Sequence, residues 1–154
     1  EWRGALHRRE EGLDLLSHGG GEGTSAEWLA GIDGYDLVLL DLPLGMAPVI
    51  PCRRLLVVNA DANCHVRLHR HPWAADERLL VTQFSSQRAL QQGLLDLWLA
   101  GGLPLLNLHL HRDEAMAEAM AAKLPVGRYA PTSLVAHELA ALATWCLAEG
   151  EAPR

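Results

Sequence analysis

LLVVNADANCHVRLHR, residues 55–70, reads as a strand that runs directly into a helix. Leu55–Ala60 lacks the alternation of a strand with one wet face, so it is predicted to lie covered on both sides. Asp61 stands where an N-cap belongs, ahead of a helix over Ala62–His69 that Pro72 ends. The same unit recurs downstream. LLVTQF (79–84) is a further strand, and Ser85 or Ser86 opens a helix with Leu90, Leu94, Leu97 and Trp98 on one face. Gly101 and Gly102 stop that helix. Leu105–Leu110 is another strand, followed by an alanine-rich helix over Asp113–Lys123. Pro131 and Thr132 introduce a last helix with the stripe Val135, Leu139, Leu142 and Cys146. Apolar strands alternating with helices predict an α/β fold, a mostly parallel sheet with helices on both faces.

Upstream, YDLVLLDLPLG (35–45) contains a run that reads as one more buried strand, Asp36–Leu42. It ends on a carboxylate, Asp41. A lone buried carboxylate costs several kcal/mol unless something pairs with it, so Asp41 asks for a partner. Leu13–Leu16 reads as a short strand, residues 1–12 as the polar end of a helix, and HGGGEGTS (18–25) as a solvated loop. Ser25 or Thr24 suits the cap of a short helix through Trp28 and Leu29. No internal repeat or linker divides the chain, and a single domain over residues 1–154 is expected. The first residue is Glu1, not Met, which suggests a piece of something longer.

Composition narrows the function classes. Hydrophobic residues make up 49% and charged residues 21% of the 154, ordinary globular values. A net charge of −6 argues against a nucleic-acid partner, which calls for a basic face. Cys52, Cys64 and Cys146 are far apart and form no CxxC pair, so they read as reduced thiols rather than a zinc site or a disulfide framework. No apolar run reaches the ~18 residues of a membrane span, and no signal peptide opens the chain. A cytoplasmic protein is expected.

In sheets of this kind ligands sit beyond the carboxyl ends of the strands. Asp41, Asn59 and Asp61, Thr82 and Gln83, and His109 through Asp113 all fall there. The bland alternative is that strand ends meet water and are polar anyway. The pattern D-x-P-x-G at Asp41–Gly45 carries a mechanism. A carboxylate after a hydrophobic strand can hold magnesium through water, Pro43 fixes the exit direction, and Gly45 lets a phosphate approach the backbone. GGGEGTS is not a phosphate loop: it has no lysine and no long helix follows it. His65 and His69 share a helix face and His109 and His111 a strand face, but no third metal ligand is evident. Met116 and Met120, four apart, suit a core or an exposed face for a partner helix.

LDLLSHG, YDLVLLDLP, VNADANCHVRLHR, HRDEAMAEAMAAKLPVG and LATWCL resemble the bacterial cellulose biosynthesis BcsQ (YhjQ) family, a resemblance that runs from about Glu1 to Glu149. That family is a branch of the MinD/ParA-like P-loop ATPases. The resemblance implies a partial doubly wound sheet of that fold, its C-terminal two-thirds, without the N-terminal strands and the phosphate loop. It implies ATP and magnesium as cofactors of the full-length family, and none bound by this chain alone. Asp41 then matches the magnesium-associated, catalytic carboxylate, and Gly45 the glycine near the γ-phosphate, with Pro43 between them. Thr82 stands where wider relatives place an Asn against adenine. The resemblance further implies that His111, Arg112 and Asp113 border the base. The implied partners are the cellulose synthase complex subunits, a small BcsR-like protein among them, and a second copy in a homodimer. The implied location is the cytoplasmic face of the bacterial inner membrane, reached through partners only.

Two functions remain open at this point: a nucleotide-binding assembly ATPase, or an interaction module that keeps only a partner surface. A metal-binding regulator built on the histidines is a third class.

Overall fold

The computed structural model describes residues 6–10, 12–16, 29, 31–43 and 45–148. The GGGEGTS loop and the start of the short helix before Leu29 lie outside the described residues. Contacts divide the chain into two compact units, Glu1–Cys52 and Arg53–Arg154.

The second unit is the α/β sheet anticipated from the sequence. Its strands are β3 (Arg54–Asn59), β4 (Glu77–Phe84) and β5 (Leu105–His111), in the order β3-β4-β5 and parallel throughout. β4 is central and carries the deepest side chains: Leu79 is 0% exposed and Val81 1%. The crossover helices are α1 (Ala62–Leu68) and α2 (Ala89–Ala100). Both deliver residues to one apolar cluster, Leu68 from α1 and Leu94 and Trp98 from α2, against Val58, Leu79, Val81 and Phe84. Crossovers of one hand that step in one direction across a sheet place their helices on the same face, which accounts for the shared cluster. Downstream, α3 (Glu114–Ala122), α4 (Val126–Tyr129) and α5 (Leu134–Ala148) build a second cluster from Ala115, Ala119, Val126 and Val135.

The local causes are visible at the helix ends. Asp61 has extended φ/ψ and its carboxylate accepts the Cys64 N–H at 2.7 Å, the N-cap read from the sequence. α2 begins later than expected. Ser85 and Ser86 do not cap it; Ser85 starts a turn, its carbonyl accepting from Arg88 N–H, and Arg88 takes the cap position without a side-chain bond. Gln91 and Gln92 reach back instead, to Ser85 N–H and Ser86 carbonyl. Of the stripe on α2, Leu94 and Trp98 are buried, whereas Leu90 and Leu97 are exposed. A three-stranded sheet is narrow, so a helix on it buries its i, i+4 line and leaves the flanks wet.

Trp98 is fixed as well as buried. Its indole Nε1–H donates to His65 Nδ1 at 3.0 Å, joining α2 to α1. His71 and the Ala74 amide close on Glu77, a buried carboxylate at the start of β4, at 2.8 and 3.4 Å.

In the first unit, β1 (Leu6–Glu10) pairs antiparallel with β2 (Leu13–Leu16), with an irregularity between Arg8 and Glu10. Where the end of a helix is expected within residues 1–12, Leu6–Glu10 is a strand, because Leu13–Leu16 offers that polar run a hydrogen-bonding edge one tight turn away; residues 1–5 and 11 lie outside the described residues. Tyr35 donates its hydroxyl to Asp14 Oδ2 at 2.7 Å. Residues 36–42 are not the buried strand that their composition suggests. They hold no ladder, Val38 is 46% and Leu39 77% exposed, and Asp41 is exposed too. A Leu/Val run becomes a strand only when neighbouring backbones take its N–H and C=O groups, and among the described residues none pairs with it.

Two helices end in the same motif with different residues. Leu103 N–H returns to Trp98 carbonyl and Gly102 N–H to Leu99 carbonyl, with Gly102 at φ +70°. In α3, Leu124 N–H returns to Ala119 carbonyl and Lys123 N–H to Met120 carbonyl, with Lys123 at φ +56°. A left-handed residue with a Cβ costs about 1–2 kcal/mol. Lys123→Gly should therefore raise unfolding stability by up to about 1 kcal/mol, and Gly102→Ala should lower it by about 1 kcal/mol, in urea melts of the chain.

Candidate functional site

The carboxyl ends of β3, β4 and β5 carry the polar residues anticipated there. Asn59 and Thr82 are register partners. The Thr82 hydroxyl lies 3.1 Å from Asn59 Oδ1 and 3.3 Å from Val58 carbonyl, so it bridges the two strands. Gln83 has φ +52°, and the pairing of β4 with β5 shifts between Val81 and Phe84. This is a bulge with a left-handed residue, a device that re-aims a strand end. Gln91, buried on α2, holds it: its Oε1 accepts Ser85 N–H at 2.8 Å and its Nε2 donates to Gln83 carbonyl at 3.4 Å.

Beyond the bulge, Phe84 faces two imidazoles, with ring centres 4.7 Å from His109 and 5.4 Å from His111. The imidazoles are 4.9 Å apart, on the shared strand face expected of them. Glu138, from α5, completes the cluster. One carboxylate oxygen accepts His111 N–H at 2.8 Å and the other accepts from His111 Nδ1 at 2.5 Å. A carboxylate only accepts, so the His111 proton sits on Nδ1. Glu138 is 12% exposed and His111 27%. Burial pushes the His109 pKa below its ordinary value, the nearby His111 pushes it the same way, and Glu138 opposes them.

Arg112 is exposed, with its backbone N–H bonded to Phe84 carbonyl at 2.8 Å. Asp113 is occupied at both oxygens: Oδ1 caps α3 through Ala115 N–H at 2.9 Å, and Oδ2 accepts Val135 N–H of α5 at 3.3 Å. One carboxylate thus serves two helix N-termini. Thr82, His111, Arg112 and Asp113 therefore share one sheet edge. Glu138 and Gln91 were not legible as its members. Each arrives from a helix, and Glu138 is 27 residues from the backbone group that it binds.

The Asp41 segment belongs to the first unit. Pro43 carbonyl accepts Met46 N–H at 3.0 Å, closing a turn in which Gly45 has φ +85° with open space where a Cβ would stand. Only glycine takes that conformation without strain. Asp41 presents an exposed carboxylate, a donor suited to magnesium held through water. Residues 31–52 contain no lysine or arginine, so this segment alone does not fit a triphosphate.

His65, His69 and Cys64 are engaged within the fold. His65 accepts from Trp98 and His69 packs edge-on against it at 4.5 Å. Among the described residues no three His, Cys, Asp or Glu side chains converge as a metal site. Burial, with Asp61 beside it, raises the Cys64 pKa against the pull of Arg67, which disfavours the reactive thiolate. An apolar groove of about 530 Å³ runs between α3, α4 and α5, lined by Met116, Met120, Leu124, Val126 and Leu139 among others, and Met120 is 74% exposed.

Known proteins are similar to this sequence over most of its length. The family model described as cellulose biosynthesis protein BcsQ matches residues 1–147. The chain belongs to the cellulose biosynthesis protein BcsQ family. A Salmonella typhi protein of that name is 38% identical over 172 aligned residues, covering 96% of this chain and 68% of the relative. Its Salmonella typhimurium counterpart is 37% identical over 170 residues, with the same coverage. An Escherichia coli K12 protein named putative cellulose biosynthesis protein BcsQ is 40% identical over 119 residues, 73% of this chain and 49% of that relative.

The family membership leaves the roles of individual carboxylates to physical tests. Asp113→Ala removes the acceptor for two helix N-termini and should cost about 1–3 kcal/mol in urea unfolding at neutral pH. Asp41→Asn, at an exposed position, should stay within about 0.5 kcal/mol of the parent.

Proposed function

We propose that the chain takes part in bacterial cellulose biosynthesis as a nucleotide-dependent assembly factor of the synthase machinery. One observation carries this reading: the family match runs through residues 1–147, including both the Asp41 segment and the carboxyl edge of the sheet. On this reading Asp41 is the magnesium-associated carboxylate, with Pro43 and Gly45 shaping the turn beside it. Thr82, His111, Arg112 and Asp113 form the edge that borders the base of ATP. Asp113 would act there through the two helices that it caps, since both its oxygens are engaged. The partners are synthase subunits, a small BcsR-like protein and a second copy of the chain. Among the described residues no helix is long and apolar enough to cross a membrane, so attachment to the inner face of the inner membrane runs through those partners. The net charge of −6 speaks against nucleic acid.

A second reading is favoured by the apolar groove beside Met120 and by the lack of cations in residues 31–52. On that reading the chain is an interaction module that works without nucleotide.

Gene replacement in the bacterium that encodes the chain tests both. Disruption should abolish cellulase-sensitive extracellular glucan, and unchanged glucan would contradict a role in cellulose biosynthesis. Asp41→Asn at the chromosomal locus should reduce the glucan severely, with the protein still present at normal abundance. Parental glucan levels in that strain would assign the interaction module instead.

A further inference from the structure

We propose that His109, His111 and Glu138 form an acid-sensitive latch that fastens α5 to the carboxyl end of β5. The latch stands independently of any nucleotide. Its geometry is that of a clasp. Glu138 grips both the backbone N–H and the ring of a single residue, His111, at 2.8 and 2.5 Å. The first turn of α5 is held again three residues earlier, where Val135 N–H donates to Asp113 at 3.3 Å. Two carboxylates thereby join the strand end to the helix.

A second imidazole makes the clasp sensitive to acid. His109 lies 4.9 Å from His111 and packs against Phe84. The titratable groups that face it are His111 on its own strand and Glu138 on α5, while β4 contributes the uncharged Phe84. Nearby, Arg112 is exposed, and His137 is turned to the Ser133 carbonyl at 2.8 Å. One carboxylate can balance one imidazolium. A proton taken up by His109 puts a positive ring 4.9 Å from His111, whose ring already engages the Glu138 carboxylate.

The direction follows from His109. Its proton affinity in the folded protein lies below the ordinary value of 6.5, because burial and His111 disfavour the charged ring. His109 therefore binds a proton more readily in the opened cluster than in the closed one. The closed latch has its full stability above pH 6.5 and loses it as the pH falls below that value. Release would free the segment that carries Arg112 and Asp113, and with it the start of α5.

Amide hydrogen exchange on the 154-residue chain tests this, compared at pH 7.5 and 5.5 after correction for the intrinsic pH dependence of exchange. Protection at His111 and through the first turns of α5 should fall about threefold or more on acidification, while Leu79–Val81 in β4 stays protected. In His109→Phe, which keeps a ring against Phe84 but cannot take a proton, the fall should vanish. His109→Gln serves the same comparison should the Phe variant fail to fold. Unchanged protection in the parent, or an equal fall in the variant, would overturn the latch.

Discussion

The hydrogen-bonded ladder on both edges of β4 is the constraint on which the rest of the second unit depends. A parallel strand satisfies its backbone only through neighbours that arrive from far along the chain. β4 has both, with β3 in continuous register from Arg54↔Glu77 to Asn59↔Thr82 and β5 on the other side. Leu79 and Val81 are then shielded almost completely, and α1 and α2 have a surface to pack on. The Trp98–His65 bond adds direction to that packing, because an indole N–H in a core needs an acceptor and His65 Nδ1 supplies it. Residues 36–42 are the counterexample. Their composition is as apolar as that of β3, yet without a paired backbone they remain irregular and exposed.

At the carboxyl edge, carboxylates organise the backbone. Asp61 caps α1, Asp113 caps α3 and reaches α5, and Glu138 returns from α5 to the end of β5. Among the described residues no buried side-chain nitrogen or oxygen lacks a partner. An edge built in this way fixes the backbone that carries Thr82, His111 and Arg112. It also makes the edge respond to proton concentration, since its clasps are carboxylates and imidazoles. The Asp41 turn in the first unit differs in kind: its carboxylate is exposed, and what is fixed is the backbone at Gly45.

Much of this was legible in the sequence for physical reasons. LLVTQF lacks alternation because β4 is covered on both faces, whereas LLVVNA, read as equally covered, forms the outer strand β3 and leaves Val57 57% exposed; Asp61 announces a helix because its side chain completes the first turn. His109 and His111 share a face because strands have a period of two. What was hidden depends on distant partners. Asp36–Leu42 has the composition of a buried strand, and composition does not tell whether another backbone will be there to pair with it. Glu138 reads as one polar residue on an apolar helix until α5 is folded back onto β5. The Gln83 bulge arises from a mismatch between two strands, and neither strand alone contains it. Ser85 and Ser86 looked like caps, but the tight turn from Ser85 to Arg88 delays α2, and Gln91 and Gln92 reach back from the helix to bond the backbone of that turn.

Residue-resolved native-state amide exchange is the most direct test of the claim that pairing, rather than composition, decides which apolar runs become strands. At one pH and without denaturant, Leu80 and Val81 in β4 should exchange only through global unfolding, while Val38, Leu39 and Leu40 should exchange within a few-fold of unfolded rates. Protection of residues 38–40 equal to that of β4 would contradict the account.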